Sequence, residues 1–223
     1  MPSSQDGSDV RRDVMVTPQD DRKGPGVLLL HSGRGLTPYI ESLCHRLAHR
    51  GYVAYALDLF EGATPTSVAE STALKSRFPA ESTLDRIEDG VSFLTSFRGS
   101  SRPQIGVLGI GYGGELALQL LDRHPGDIQT VVVYYGFHDI DWRNLPAHFL
   151  GHYADRDPEI TRAHLRSAMD VAAHSPQRSE FKMYTGTAPS FFEDEDTAKF
   201  DPEAAQKSWK LTVSFFDETL YSD

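Results

Sequence analysis

Several short stretches of the sequence hold side chains or turns that can do chemistry. Gly109-Ile110-Gly111-Tyr112-Gly113-Gly114 follows an apolar run and opens onto a helical pattern. Spaced as Gly-x-Gly-x-x-Gly, these glycines suit a turn whose backbone N–H groups cradle a pyrophosphate, with Asp139 as the acid a ribose would need. His31-Ser32 ends another apolar run and offers either an acid–base pair or a nucleophile; the plainer reading is that the two residues only shape a loop. His138-Asp139 follows a third strand-like run and can reach the same crevice, although a turn histidine beside an aspartate is commonly just exposed. Asp157 stands before Pro158 and a helical pattern, so it serves as an acid or as a helix cap, with Asp155 as the substitute two residues earlier. The acids Glu193-Asp194-Glu195-Asp196 would hold a hard cation only if the backbone curled them together. They are read as a solvated loop, and no metal site is assigned.

The elements that must position these groups follow from the apolar periodicity. Runs at 27–30, 52–57, 104–108, 128–135, 147–150 and 181–184 read as strands, most of them too continuous to be half-exposed. Between them lie helical patterns: Thr37 as cap with Pro38 at the first position and Gly51 as stop, a stripe of Leu84, Ile87, Val91 and Leu94 capped near Ser82, and segments over 115–123 and 159–173. A last helix starts at Asp201-Pro202, and Cys44, Trp209 and Phe216 are assigned to the core. A weakly helical polar stretch spans 66–78. Alternating strands and helices imply one α/β domain over 26–223, a mostly parallel central sheet with helices on both faces, and ligand chemistry beyond the carboxyl ends of the strands. Residues 1–25 are expected to be a flexible segment with at most a short edge strand at 14–16.

Composition narrows the function. The chain has 223 residues, 39% of them hydrophobic, enough for one sizeable core. With 22 Lys plus Arg against 32 Asp plus Glu, the net charge of -10 repels phosphate backbones and anionic lipid, so neither nucleic acid nor a membrane surface is expected as a partner. A single cysteine excludes internal disulfides. No apolar stretch resembles a signal or a membrane span, which leads to the expectation of a cytoplasmic protein.

Taken together, the loops resemble the dienelactone hydrolase family of the α/β-hydrolase superfamily. The resemblance is carried by His31-Ser32-Gly33-Arg34-Gly35-Leu36-Thr37-Pro38, Asp58-Leu59-Phe60-Glu61-Gly62, the elbow at 109–114, Gly151-His152-Tyr153-Ala154 with Asp157, Tyr184-Thr185-Gly186-Thr187 with Phe191-Phe192, and the closing Ala204-Ala205 to Phe215-Phe216. It implies hydrolysis of small lactones and esters by a Cys or Ser nucleophile, an Asp and a His. The nucleophile position falls on Gly111 and the His position on Pro189, leaving Asp157 as the surviving member. Conventional acyl transfer is therefore not expected. What the resemblance leaves is an oxyanion hole from the backbone N–H groups of Tyr112 and Gly33, substrate contacts from Arg34, Tyr112, Tyr135 and Phe191, and proton transfer by His31, Ser32, His138 or Asp157. The Tyr112 ring either fills the vacated position or presents its hydroxyl, and His152 is read as a packing residue. The expected reaction is cofactor-independent and non-covalent, on a small lactone, ester or polyketide-like carbonyl compound. A relocated Ser32 nucleophile and a silent ligand-binding protein are the alternatives, with dinucleotide binding behind them.

Overall fold

The computed structural model describes residues 12–19, 22–121, 123 and 126–221. Apolar residues on both faces force the central strands into the interior: β2 (Gly26–Leu30) and β4 (Ile105–Ile110) bury every residue, while β3 (Val53–Leu57), β5 (Ile128–Tyr134) and β6 (His148–Ala154) each keep one partly exposed. With β1 (Val14–Val16) and β7 (Ser179–Tyr184) they form a seven-stranded sheet in the order β1-β3-β2-β4-β5-β6-β7. All neighbours are parallel except β1, an antiparallel edge strand on β3. The N-terminal segment is tied down at 13–16, where β1 pairs with β3 and the Asp13 carboxylate accepts from Tyr55 Oη and from the Asp58 N–H and pairs with Arg86. Of the segment 1–25 expected to be flexible, residues 1–11, 20 and 21 lie outside the described residues.

Helices α1 (Pro38–His49) and α6 (Pro202–Leu220) cover one face of the sheet, and α3 (Ala80–Ser96), α4 (Tyr112–Leu121) and α5 (Arg162–Ala172) belong to the core layer on the other. Cys44 and Phe216 are buried as expected, whereas Trp209 is half-buried, with the Arg46 guanidinium 4.0 Å over its ring. Several boundaries differ from the sequence reading, the strand read at 104–108 running to Ile110 and the one read at 181–184 beginning at Ser179. The third helix begins at Ala80 rather than near Ser82, and the sixth strand runs four residues beyond Leu150 because His152 finds polar partners inside. The fifth helix starts at Arg162, capped by Thr161, because Asp157 spends its carboxylate on a separate turn. The fourth starts at Tyr112 directly after the turn, three residues early, and positions 122, 124 and 125 of its expected end lie outside the described residues.

The remaining helix, α2 (Val68–Arg77), buries none of its residues, and Val68 is 84% exposed. It stands over the strand ends rather than on the sheet.

Candidate functional site at the strand ends

Parallel register brings the last residues of four strands level. Leu30 pairs with Gly109, Ile110 with Tyr134, and Tyr134 with His152, so the loops that follow open onto one crevice. That crevice is a cavity of about 1010 Å³. Its α2 side presents Ser67, Ser71, Thr72 and Lys75, while its α5 side mixes the apolar Phe137, Ile140, Trp142, Ala168 and Val171 with the polar Asp139, Glu159, His164 and Ser167.

Gly111 sits at the turn between β4 and α4 with φ +53°, a left-handed conformation that glycine adopts without strain. A Cβ there would lie 3.5 Å from Ser32 Cβ and 4.0 Å from Tyr135 Cδ2, ordinary contact distances. The glycines around it have a packing reason. A Cβ on Gly109 would stand 2.5 Å from Gly113 O, and one on Gly113 would stand 2.2 Å from Leu30 O. The Gly113 N–H donates to His31 O at 3.1 Å. These glycines let α4 press onto the strands, and their pattern needs no phosphate to explain it.

The Tyr112 and Gly33 residues both line the cavity, and among the described residues neither N–H donates to a protein acceptor. The Tyr112 N–H belongs to the first turn of a ten-residue helix, where unspent donors and the helix dipole favour a developing negative charge. The Tyr112 ring does not fill the space at Gly111. It stacks on Phe60 at 6.1 Å and lies under Lys75 Nζ at 4.7 Å.

Next to Gly111, Ser32 Oγ donates to Glu193 Oε1 at 2.5 Å, and Tyr135 Oη donates to Glu193 Oε2 at 2.7 Å. The Glu193 residue is 2% exposed and lines the cavity. Burial raises its carboxyl above the usual carboxylate range, opposed by the Ser32 and Tyr135 hydroxyls and the Arg34 guanidinium. The same burial, reinforced by the Glu193 charge, pushes the Tyr135 phenol well above its ordinary value, so it stays a donor. Arg34 is held by Asp196 at 3.0 Å. Tyr135 itself has φ +37°, a strained backbone for a tyrosine, fixed by its N–H on His152 O.

The reading of residues 193–196 as a solvated loop is corrected at its first position. Asp194 and Glu195 are exposed, but Glu193 is carried inward by Phe191 and Phe192, both fully buried, and by Tyr39 Oη donating to Phe192 O. The signal present in the sequence was the adjacency Phe191-Phe192-Glu193: two rings that must be buried leave the next side chain no route to solvent.

Other expected groups divide cleanly. Ser32, Gly33, Arg34, Gly111, Tyr112, Tyr135, His138 and Pro189 all line the cavity. His31 does not. Its Nδ1 donates to Ser32 O at 2.7 Å and its Nε2 accepts the Leu59 N–H at 3.0 Å, which fixes a neutral ring lowered to about 4 mainly by burial. Both nitrogens are committed, so it is corrected from an acid–base candidate to a loop anchor. Phe191 is likewise corrected from a substrate contact to a core ring packed on Tyr135 and Tyr184. Asp157 lies outside the cavity lining, and its Oδ1 accepts the Glu159 and Ile160 N–H groups at 2.8 and 2.9 Å. Asp155, the substitute, pairs with Arg162 and accepts the Gly186 N–H. His152 is enclosed, as a packing residue should be. Among the described residues no group of three or more His, Cys, Asp or Glu is placed to hold a metal ion, and no helix is long and apolar enough to cross a membrane.

Known proteins share this arrangement of strands and loops. The chain is 28% identical over 207 residues to the protein usf of Aquifex pyrophilus, covering 88% of this chain and 89% of that one. It is 26% identical over 216 residues to the carboxymethylenebutenolidase of Rhodococcus opacus, covering 90% and 84%. The crystal structure of a putative dienelactone hydrolase from Klebsiella pneumoniae has the same fold, with a TM-score of 0.82, 20% identity and 93% of each chain covered. The model of the dienelactone hydrolase family spans residues 12–220, through every strand and loop that builds the cavity, and the chain belongs to that family.

Proposed function

We propose that this protein acts on a small lactone, ester or polyketide-like carbonyl compound without forming a covalent intermediate. One observation carries the reading: the cavity is lined by two unspent backbone donors, Tyr112 N–H at the strand-to-helix turn and Gly33 N–H in the loop after β2, and by a residue, Gly111, with no side chain to attack. Donors aimed at a carbonyl oxygen stabilise charge as it develops whether or not the nucleophile belongs to the protein. The family gives the substrate class, since a relative bears the name carboxymethylenebutenolidase. Within this reading Gly111 and Pro189 stand where the family's nucleophile and histidine would be. The apolar side chains of the α5 wall suit a hydrocarbon body, and the polar groups on both walls suit oxygenated ends.

A panel of unsaturated lactones and aryl esters, followed by product mass spectrometry and intact-protein mass spectrometry, tests this. Turnover with no mass added to the protein is the expected result. A stable acyl adduct mapped to Ser32 would replace the reading with its nearest rival, a relocated nucleophile, for which the 2.5 Å Ser32 Oγ to Glu193 contact is the favouring observation. A lactone that binds and is recovered unchanged would leave a ligand-binding protein.

A further inference from the structure

We propose that Glu193 is the proton acceptor that drives water onto the bound carbonyl, with the Ser32 hydroxyl passing the proton and the room beside Gly111 admitting the water. The inference rests on the non-covalent reading above and names its base. Three observations meet in it. The Glu193 carboxylate takes both of its close hydrogen bonds from hydroxyl donors, so it is set up as an acceptor at 2.5 Å from Ser32 Oγ. Ser32 is in turn the residue that a Cβ on Gly111 would touch, at 3.5 Å. The contact is to Ser32 Cβ and, at 3.9 Å, to its Cα, so the position from which a side chain would attack is beside the residue whose hydroxyl is already bonded to a base. Thirdly, Glu193 is buried and, among the described residues, makes no salt bridge, because the Arg34 that faces it is paired with Asp196. A carboxyl in such a place costs stability that two neutral hydroxyl donors do not repay, so a purely structural role does not account for it.

The step balances without a further reactant. The water oxygen bonds to the carbonyl carbon, its proton moves to Ser32 Oγ, and the Ser32 proton moves to Glu193 Oε1. The carbonyl electron pair moves onto oxygen, where the Tyr112 and Gly33 N–H groups receive it. Collapse re-forms the carbonyl and breaks the ring carbon–oxygen bond, and the departing oxygen takes its proton from Glu193 back through Ser32. A lactone and water give a hydroxy acid, and the carboxylate is restored.

The charged and titratable groups facing Glu193 are Arg34 from the loop after β2, Tyr39 on α1, Tyr135 after β5, and Glu195 on its own loop, with Asp196 behind Arg34. The carboxylate must be ionised to accept, so the rate should fall as pH drops through a limb lying above the usual glutamate range. The test measures kcat and KM from pH 4 to 9 for the wild type, Glu193→Gln, Glu193→Asp, Ser32→Ala and Tyr135→Phe, on whichever lactone of the panel turns over. Glu193→Gln should lower kcat about 10²- to 10⁴-fold with KM within threefold, and its residual rate should lack the acid limb. Tyr135→Phe, which removes one donor from the carboxylate, should move that limb upward, a readout that packing alone would leave in place. A single turnover in ¹⁸O-water should label the product and not the protein. If Glu193→Gln fails to fold, the limb positions in Glu193→Asp and Tyr135→Phe decide. A wild type that turns over while Glu193→Gln stays within threefold, or keeps the limb, overturns the role of Glu193 alone. A wild type that binds the lactones and returns them unchanged overturns the non-covalent reading and this inference together.

Discussion

Two buried polar clusters lie at the carboxyl ends of neighbouring strands, and they have opposite characters. Under α6, His152 is fully enclosed. Its Nδ1 meets Tyr184 Oη at 2.8 Å and its Nε2 meets Thr212 Oγ1 at 3.0 Å, while Tyr134 Oη shares the same threonine at 2.8 Å. Burial lowers the ring to about 3, so it is a neutral link in a network closed on all sides. Across the sheet ends, Ser32, Tyr135 and Glu193 are buried too, but all three border the cavity and stand beside two unspent backbone donors. Burial by itself therefore does not mark function. What separates the clusters is whether hydrogen-bonding capacity is exhausted within the fold or left facing a space that a ligand can occupy.

That contrast can be broken most severely at the enclosed cluster. His152→Ala removes a buried ring and takes one hydrogen-bond partner each from Tyr184 and Thr212, and should cost about 3 kcal/mol or more in urea unfolding. Glu193→Gln should leave stability unchanged or raise it at neutral pH, since it removes a buried charge. A His152→Ala protein of unchanged stability, or a Glu193→Gln protein that loses several kcal/mol, would erase the distinction.

The pH dependence of stability sharpens it further. His31 and His152 are neutral in the folded state and titrate at about 4 and about 3, against 6.5 in the unfolded chain. The unfolded chain thus binds more protons between these values, so stability is complete above pH 6.5 and declines as pH falls toward 4 and 3. For His31 alone the loss is about 3 kcal/mol at 1.36 kcal/mol per pH unit. Glu193 acts with the opposite sign: its raised folded value favours the protonated folded state, so its contribution falls as pH rises above the usual glutamate range. Denaturant titrations from pH 4 to 8 should therefore show Glu193→Gln gaining on the wild type as pH rises. A constant difference would contradict this.

The smallest expected effect is at Asp157. An asparagine keeps the Oδ1 acceptor for the Glu159 and Ile160 N–H groups, so Asp157→Asn should leave turnover within about twofold and stability within about 0.5 kcal/mol. A loss of activity beyond tenfold would return Asp157 to the catalytic group and weaken the case for Glu193.

Local sequence determined the alternation of elements, because continuous apolar runs such as 27–30 and helical stripes such as Leu84, Ile87, Val91 and Leu94 allow few other arrangements. The same residues located the sharp turn at Gly111 and the crevice beyond the strand ends. Tertiary structure decided which side chains reach that crevice. His31 and Ser32 are adjacent, yet strand geometry sends them to opposite sides, one to the backbone of Leu59 and the other to Glu193. Glu193 stands 161 positions from Ser32, in a run of acids that composition places in solvent, and only the burial of Phe191 and Phe192 pulls it to the site. Hydrophobic periodicity is a local property and is written in the sequence. The pairing of a carboxylate with a distant hydroxyl depends on how loops fold over packed strands, and no local pattern encodes it.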